Sequence, residues 1–82
     1  MPSRTDIFEH LQKTLHELFE IPLEEIKEDA LLYEDLELDS IDAVDLIVKI
    51  KEYTGKRVEP QIFKEVKTIS DVITAIEALL AE

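Results

Sequence analysis

The chain of 82 residues carries a net charge of −11 and contains no cysteine. An acidic surface repels nucleic-acid phosphates and anionic lipid headgroups, so both kinds of partner are excluded. The lack of cysteine excludes disulfides and thiolate metal sites, and no apolar run approaches the roughly 18 residues that span a bilayer. No signal-peptide core is present, so we expect a cytoplasmic monomer with a single domain over residues 1–82.

The first predicted element is an amphipathic helix from about Ser3 to Phe19. Ser3 followed by Asp6 is a typical helix start. Apolar residues recur at intervals of three and four and therefore share one face; they are Ile7, Phe8, Leu11, Leu15, Leu18 and Phe19. The two histidines, His10 and His16, lie off this face, so we expect them in solvent rather than in a catalytic site.

Residues 20–38 follow as a segment that is too long for an ordinary helix connection. Pro22 lies near its start, and a short turn is predicted at Leu23 to Lys27. Its frequent apolar residues predict an ordered loop packed on the core; they are Ile21, Leu23, Ile26, Leu31, Leu32, Leu36 and Leu38. Long ordered loops are often functional.

The second predicted helix begins at Asp39 or Ser40 and runs to about Tyr53. Asp39 is a favourable N-cap residue, and Asp42 supports the first turn. Two apolar stripes follow the helix: one contains Ala43, Leu46, Ile47, Ile50 and Tyr53, and the other contains Ile41, Val44 and Val48. A helix on a small bundle buries one broad stripe, so the second stripe is either additional core or an exposed binding strip.

The remaining residues predict a short helix and a third long helix. Gly55 favours a helix end and Pro60 a helix start, so residues 60–66 form one or two turns. Thr68 with Asp71 starts the last helix, whose apolar face contains Ile69, Val72, Ile73, Ile76, Leu79 and Leu80. Residues 56–60 are the only plausible extended piece. The predicted fold is an all-α bundle of three main helices and one short helix.

Negative charge is concentrated in residues 20–45, where eleven acidic residues face a single base, Lys27. The residues after position 45 contain equal numbers of acids and bases. Uniform solubilisation of the domain would not leave that part of the chain neutral. A focused acidic field steers basic partner surfaces toward it and makes association sensitive to salt.

Ser40 lies within this acidic region, and its surroundings do not suit an enzyme's own nucleophile. A nucleophilic serine needs a base, usually His, and neighbouring carboxylates disfavour its ionisation. A calcium loop through Asp35, Glu37 and Asp39 would require Gly at position 40 and Glu at position 46, where the chain has Ser40 and Leu46. We therefore expect neither catalysis nor specific metal binding, and we interpret the hydroxyl as a possible substrate of another enzyme.

The stretch "DLELDSIDAVDLI" resembles the modification motif of the acyl carrier proteins, in which Asp-Ser-Leu or Asp-Ser-Ile opens the second helix. The matching residues are Asp39, Ser40, Ile41, Asp42, Val44, Asp45 and Leu46, preceded by Glu34, Asp35 and Leu36. Helix order, loop length and charge extend the resemblance over essentially the whole chain. It implies a free-standing carrier of the bacterial type II kind, and we do not expect one module of a larger synthase.

The resemblance implies that Ser40 carries 4′-phosphopantetheine, which a phosphopantetheinyl transferase installs from coenzyme A. Acyl groups would be held as thioesters for acyl-transfer, ketosynthase and other acyl-processing enzymes with basic docking patches, and the chain itself would not be an enzyme. The implied recognition residues are Asp39, Ile41, Asp42, Val44, Asp45 and Val48. The residues implied to line a space for the acyl chain are Leu46, Ile50, Ile62, Phe63 and Ile69.

The chain also departs from the common bacterial fatty-acid carriers. Glu37 stands where they usually have Gly, which predicts either a strained left-handed backbone or a shifted loop. Lys49 and Lys51 lie in the second helix. Lys64 lies in the short helix, and Lys67 follows it. These differences favour a specialised lipid, polyene or polyketide-type pathway over general fatty-acid synthesis. The alternatives are an aminoacyl or peptidyl carrier and an acidic helical interaction domain that is never pantetheinylated.

Overall fold

A computed structural model describes residues 2–81. Its helices are α1 (Arg4–Phe19), α2 (Ser40–Thr54), α3 (Pro60–Glu65) and α4 (Ile69–Leu80), with a 3₁₀ turn at Leu23–Glu25 between α1 and α2. The predicted all-α architecture, with three long helices and one short helix, is confirmed. Residues 57–59 belong to no helix or strand, and Glu59 is extended at φ −82° and ψ 134°, in line with the predicted extended piece. An isolated antiparallel bridge joins Leu31 and Thr68.

The three long helices all begin with a capping box, in which a cap side chain and a side chain three positions later exchange hydrogen bonds with the backbone. The pairs are Ser3 with Asp6, Asp39 with Asp42, and Thr68 with Asp71. Each box satisfies amides that have no partner within the helix. At α4, donation from the backbone N–H groups of Lys67 and Thr68 lowers the pKa of Asp71. These helix starts follow from residue type and spacing alone.

Backbone conformation explains where α2 ends and α3 begins. Gly55 is left-handed at φ +69°, and its N–H donates to the Lys51 carbonyl oxygen over 2.8 Å. Glycine takes this conformation without a Cβ penalty, so the helix stops there. Pro60 occupies the first turn of α3, where a missing N–H costs nothing.

The core lies between α1, α2 and α4. Its most deeply buried side chains come from all three helices and from the loop: Ile7, Leu11, Leu15, Ile26, Leu32, Leu46, Ile69, Val72 and Ile73. Burying one such side chain stabilises the fold by about 1.5–3 kcal/mol. At the edge of the core, the Arg4 guanidinium donates to Ser70 over 3.1 Å and to Thr74 over 3.2 Å, and it pairs with Glu77. Arg4 thereby ties the start of α1 to α4.

The long segment between α1 and α2 is ordered because its backbone bonds to the entry of α4. The N–H of Leu32 donates to the Lys67 carbonyl oxygen over 2.9 Å, and the N–H of Ile69 donates to Ala30 over 3.1 Å. On the other side, the Gln12 amide donates to the carbonyl oxygens of Leu23 and Ile26 over 2.9 and 3.2 Å. The predicted ordered loop is confirmed.

Two details of the apolar pattern differ from the prediction. Leu23 was expected on the core but is exposed, because it opens a 3₁₀ turn that is shorter than the predicted turn at Leu23 to Lys27. Leu18, on the predicted apolar face of α1, is also exposed, near the end of its helix. A residue can match a helical period and still extend beyond the edge of a small core.

The histidines have structural contacts that the sequence did not reveal. His10 stacks on Tyr53 of α2 with ring centroids 3.9 Å apart and planes inclined by 17°. Burial against this neighbour, together with the charge of Lys13, lowers the pKa of His10. Nδ1 of His16 donates to the Ile21 carbonyl oxygen over 2.8 Å. Both residues are exposed as expected, but both also connect parts of the fold.

The backbone at Glu37 is left-handed, with φ +56°. A residue with a Cβ pays about 1–2 kcal/mol for this conformation, and the side chain is exposed to solvent. Of the two outcomes predicted for this position, the structure has the strained backbone.

Replacing Glu37 with Gly should raise the free energy of unfolding by about 0.5–1 kcal/mol. The left-handed strain of about 1–2 kcal/mol is removed, and part of the gain is offset by the greater freedom of Gly in the unfolded chain. Urea unfolding measures the change. Glu37→Gln controls for the lost charge, and Glu34→Gly controls for glycine at a nearby exposed residue without positive φ. Equal effects of Glu37→Gly and Glu34→Gly would contradict the strain.

Candidate functional site

Ser40 is the first residue of α2, and its side chain is exposed. Its hydroxyl forms no hydrogen bond within residues 2–81. The other two serines are engaged: Ser3 Oγ accepts from the Asp6 N–H over 3.2 Å, and Ser70 Oγ accepts from Arg4 over 3.1 Å. Ser40 is therefore the one serine of the three that is exposed and whose hydroxyl takes no part in a hydrogen bond within residues 2–81.

The capping box fixes the backbone around Ser40. Oδ1 of Asp39 accepts from the N–H groups of Ile41 and Asp42, each over 2.9 Å, and Oδ2 of Asp42 accepts from the Asp39 N–H over 3.3 Å. The helix dipole favours a phosphate on Ser40. The N–H groups of Ile41 and Asp42 already have partners, so they are not available to hold that phosphate.

The second apolar stripe of α2 is an exposed strip. Ile41 is 72% exposed, Val44 is 58% exposed and Val48 is 49% exposed. The three residues lie on one side of the helix, immediately after Ser40, because their spacing of three and four residues matches the helical turn. The structure thus decides between the two predicted possibilities: this stripe is not core. An apolar strip beside acidic residues has the composition of a docking surface.

The three predicted acidic recognition residues occupy different environments. Asp39 and Asp45 are exposed, and Asp45 lies one turn after Ile41, on the same side as the apolar strip. Asp42 is half-buried and faces away from the strip, toward the loop. Asp39 and Asp42 also cap the helix, whereas Asp45 carries charge without a capping contact.

An acidic groove lies beside the start of α2, which the sequence did not predict. It encloses about 430 Å³ between the end of α1, the loop and α2, and its acidic lining residues are Glu20, Glu25, Asp35, Glu37 and Asp42. Among residues 2–81, Glu20 and Glu37 are the two non-glycine residues with positive φ. The number of acidic residues was visible in the sequence. Their arrangement around one groove depends on the path of the loop, which the sequence did not reveal. In the described part of the chain, no group of three or more His, Cys, Asp or Glu side chains is placed to hold a metal ion.

The predicted acyl-lining residues are brought together only in part. Ile50, Ile62 and Phe63 line a cavity of about 10 Å³ between α2, α3 and α4. Leu46 is fully buried and lines a separate cavity of about 10 Å³ between α1, α2 and α4. Ile69 is fully buried and lines neither cavity.

These features define a class of protein: a small acidic helix bundle that displays an unengaged serine hydroxyl beside an exposed apolar and acidic surface. A family model described as "Phosphopantetheine attachment site" matches residues 9–76, a span that includes Ser40. Together with the relatives described next, this match shows that the chain belongs to the acyl carrier proteins.

Similar proteins support this assignment over nearly the full chain. Acyl carrier protein 2 of Ralstonia nicotianae is 46% identical over 79 residues, which cover 96% of this chain and 98% of that protein. The acyl carrier protein of Saccharopolyspora erythraea is 37% identical over 95% of this chain and 82% of its own length. The crystal structure of the acyl carrier protein of Thermotoga maritima matches with a TM-score of 0.82 over 95% of this chain and 91% of its own. At 23% identity, that structure supports the fold alone.

Family membership confirms several predictions made from the sequence. The chain is a carrier of covalently attached 4′-phosphopantetheine and not an enzyme. Its partners are a phosphopantetheinyl transferase and acyl-processing enzymes. The alternative of an interaction domain that is never pantetheinylated is therefore wrong. Within the described residues, no helix has both the length and the apolarity required to cross a membrane.

Replacing Asp39 with Ala should lower the free energy of unfolding by about 1 kcal/mol, because two first-turn amides lose their acceptor. Asp39→Asn should retain most of the stability, because Asn caps helices about as well as Asp. Thermal and urea unfolding measure both changes. Asp45→Ala is the matched control: it removes the same charge without a capping contact and should stay within about 0.5 kcal/mol of the wild type. Equal losses in Asp39→Ala and Asp45→Ala would contradict the capping role.

Proposed function

We propose that Ser40 is the attachment residue for 4′-phosphopantetheine, joined through a phosphodiester to its hydroxyl. In this proposal the chain delivers acyl intermediates between enzymes of fatty-acid biosynthesis or a related specialised pathway. The observation that carries the proposal is the exposed Ser40 hydroxyl, which has no hydrogen-bond partner within residues 2–81 and stands at the first position of α2.

The residues around Ser40 fit this group. The capped helix start holds the hydroxyl in a fixed, solvent-facing position, and the helix dipole favours the phosphodiester. His10 and His16 are engaged with Tyr53 and Ile21, so no histidine base is supplied for the serine. The transferase must therefore bring its own catalytic groups, and the role of this chain is to present the hydroxyl.

The bound group supplies a terminal thiol, which holds an acyl chain as a thioester in a protein without cysteine. The side chains of the carrier provide no chemistry for that step. Their contribution is the helix cap that fixes Ser40, and the surface that brings each partner to the correct side of α2.

We propose that partners contact the surface formed by Asp39, Ile41, Asp42, Val44, Asp45 and Val48. Exposed Asp39 and Asp45 would meet basic residues of the partner directly, and the strip of Ile41, Val44 and Val48 would add apolar contact. Asp42 lines the acidic groove, so its contribution is to the long-range field. Charge steering raises association rates without requiring slow dissociation, which suits a carrier that visits several enzymes.

The distribution of bases on α2 is the basis for proposing a specialised pathway. Lys49 and Lys51 are both exposed; Lys49 pairs with Glu52 over 3.5 Å, and Lys51 lies in the last turn of the helix. A partner that follows α2 along its length meets acids beside Ser40 and the base Lys51 about 16 Å further on. We propose that this surface suits enzymes of a specialised lipid, polyene or polyketide-type pathway; an aminoacyl or peptidyl carrier is the alternative. The intact mass of protein isolated from its native cells separates these by identifying the cargo.

Incubation with coenzyme A, Mg²⁺ and a promiscuous phosphopantetheinyl transferase should add the mass of one 4′-phosphopantetheine to the wild type. Ser40→Ala should gain no mass, whereas Ser3→Ala and Ser70→Ala should gain it as the wild type does. Intact mass spectrometry measures all four proteins. Modification of Ser40→Ala would place the attachment elsewhere and would falsify the proposal for Ser40.

Charge reversal at Asp45 should slow modification of Ser40 roughly tenfold at low salt, within the range that electrostatic steering contributes to association. The matched control is Glu9→Lys, which makes the same charge change on exposed α1. Initial rates at low and high NaCl are compared, together with the Tm of each variant. Equal slowing by both variants, or a slowing that salt does not reduce, would count against local acidic recognition.

A further inference from the structure

We infer, on the basis of the proposed function, that Phe63 closes the apolar space between α2, α3 and α4 and keeps an acyl chain out of the helix bundle. This space, here called the seam, lies between Ile50 of α2, Phe63 of α3 and Ile76 of α4. Phe63 thereby selects the cargo, which would consist of short or polar acyl groups that need no shelter in the core.

The seam is already filled in this structure. Its cavity has a volume of about 10 Å³ and a lining made only of apolar residues. A volume of that size is about the minimum that holds one water molecule, so an alkyl chain has no room without displacing side chains. Seven of the nine lining residues are buried, Phe63 among them at 5% exposed, and the other two, Ile62 and Ala75, are half-buried.

Phe63 is the largest side chain in the seam and the only aromatic one. It lies in the shortest helix, α3, where it is the only buried residue. The side chain of the cap residue of α3, Glu59, makes no capping hydrogen bond to the helix. The burial of Phe63 therefore contributes strongly to holding α3 on the bundle.

A second contact fixes Phe63 from the loop side. The hydroxyl of Tyr33 donates to the Phe63 carbonyl oxygen over 3.4 Å. Tyr33 lies in the loop two residues before Asp35 of the acidic groove, so this long hydrogen bond links the loop to α3. Phe63 is thus held by its side chain in the seam and by its backbone from outside.

The interior of the core between α1, α2 and α4 offers no enclosed space for an alkyl chain either. The cavity between α1, α2 and α4 is also about 10 Å³ and shares Ile50 and Ile76 with the seam. Its lining includes His10 and Tyr53, the stacked pair on the surface of α1 and α2. An acyl chain that approached Ile50 from either side would meet packed side chains, and overpacking a filled core is unfavourable.

The test compares wild type, Phe63→Ala and Phe8→Ala, each loaded at Ser40 with butyryl, octanoyl or hexadecanoyl pantetheine. Phe8→Ala is the matched control, because Phe8 packs against the core from α1, outside the seam. Intact mass confirms loading before each Tm is measured. The wild-type Tm should stay within about 2 °C across chain lengths. The Phe63→Ala Tm should rise by about 5 °C or more from butyryl to octanoyl, because the chain fills the new space, and Phe8→Ala should show no such rise.

A second arm uses the unmodified proteins, so that it does not depend on Ser40. Benzene binds dry apolar cavities left by large-to-small substitutions, so saturating benzene should raise the Tm of Phe63→Ala and leave the wild type unchanged. Phe63→Leu replaces Phe63→Ala in both arms if the latter is unfolded. A wild-type Tm that rises with acyl-chain length would overturn the inference. So would a Phe63 variant whose Tm does not rise with benzene. Absence of loading overturns the attachment at Ser40, and the benzene arm then decides the role of Phe63.

Discussion

The reciprocal hydrogen bonds between Asp39 and Asp42 at the start of α2 are the constraint on which the site depends. They decide that Ser40 is the first helical residue, which leaves its hydroxyl outside the helix ladder and in solvent. The same register determines which side of α2 each later residue occupies. A register shifted by one residue would rotate every side chain by about 100°, which would move Ile41 off the exposed side of α2 and Leu46 out of the core.

The acidic surface and the fold impose opposite requirements. Eleven carboxylates within residues 20–45 repel one another, yet the loop that carries most of them is held in one path. Its buried leucines and its backbone bonds to the entry of α4 hold that path, for example from Leu32 to Lys67. Glu37 adds backbone strain at the same place. Charge repulsion and backbone strain both lower the free energy of unfolding in this segment. We interpret this loss of stability as a consequence of selection for partner recognition, since functional surfaces are commonly less stable than they could be.

Much of the fold followed from residue type and spacing, whereas contacts between distant segments did not. Ser3 with Asp6, and Thr68 with Asp71, predict helix starts because capping is local chemistry. The stack of His10 on Tyr53 could not be predicted, because it requires the packing of α1 against α2. The acidic groove likewise depends on a loop path set by tertiary hydrogen bonds. Around Ser40, the sequence predicted the helix start and left open whether the strip of Ile41, Val44 and Val48 was buried; the exposure of these residues is a result of the tertiary structure.

Helix α2 separates two kinds of specificity. Its inner side, with Leu46 and Ile50, belongs to a core whose cavities are too small for an alkyl chain, so cargo selection depends on how that side is filled. Its outer side, with Val44 and Asp45, is exposed and has no role in the core, so these residues, which we propose as partner contacts, can change without unfolding the protein. Because inner and outer residues alternate along one rigid helix, the position of Ser40 is fixed relative to both. Under the two proposals, a filled core limits the cargo and leaves it outside the helix bundle, so a partner can contact both the cargo and the strip of α2 in the same encounter.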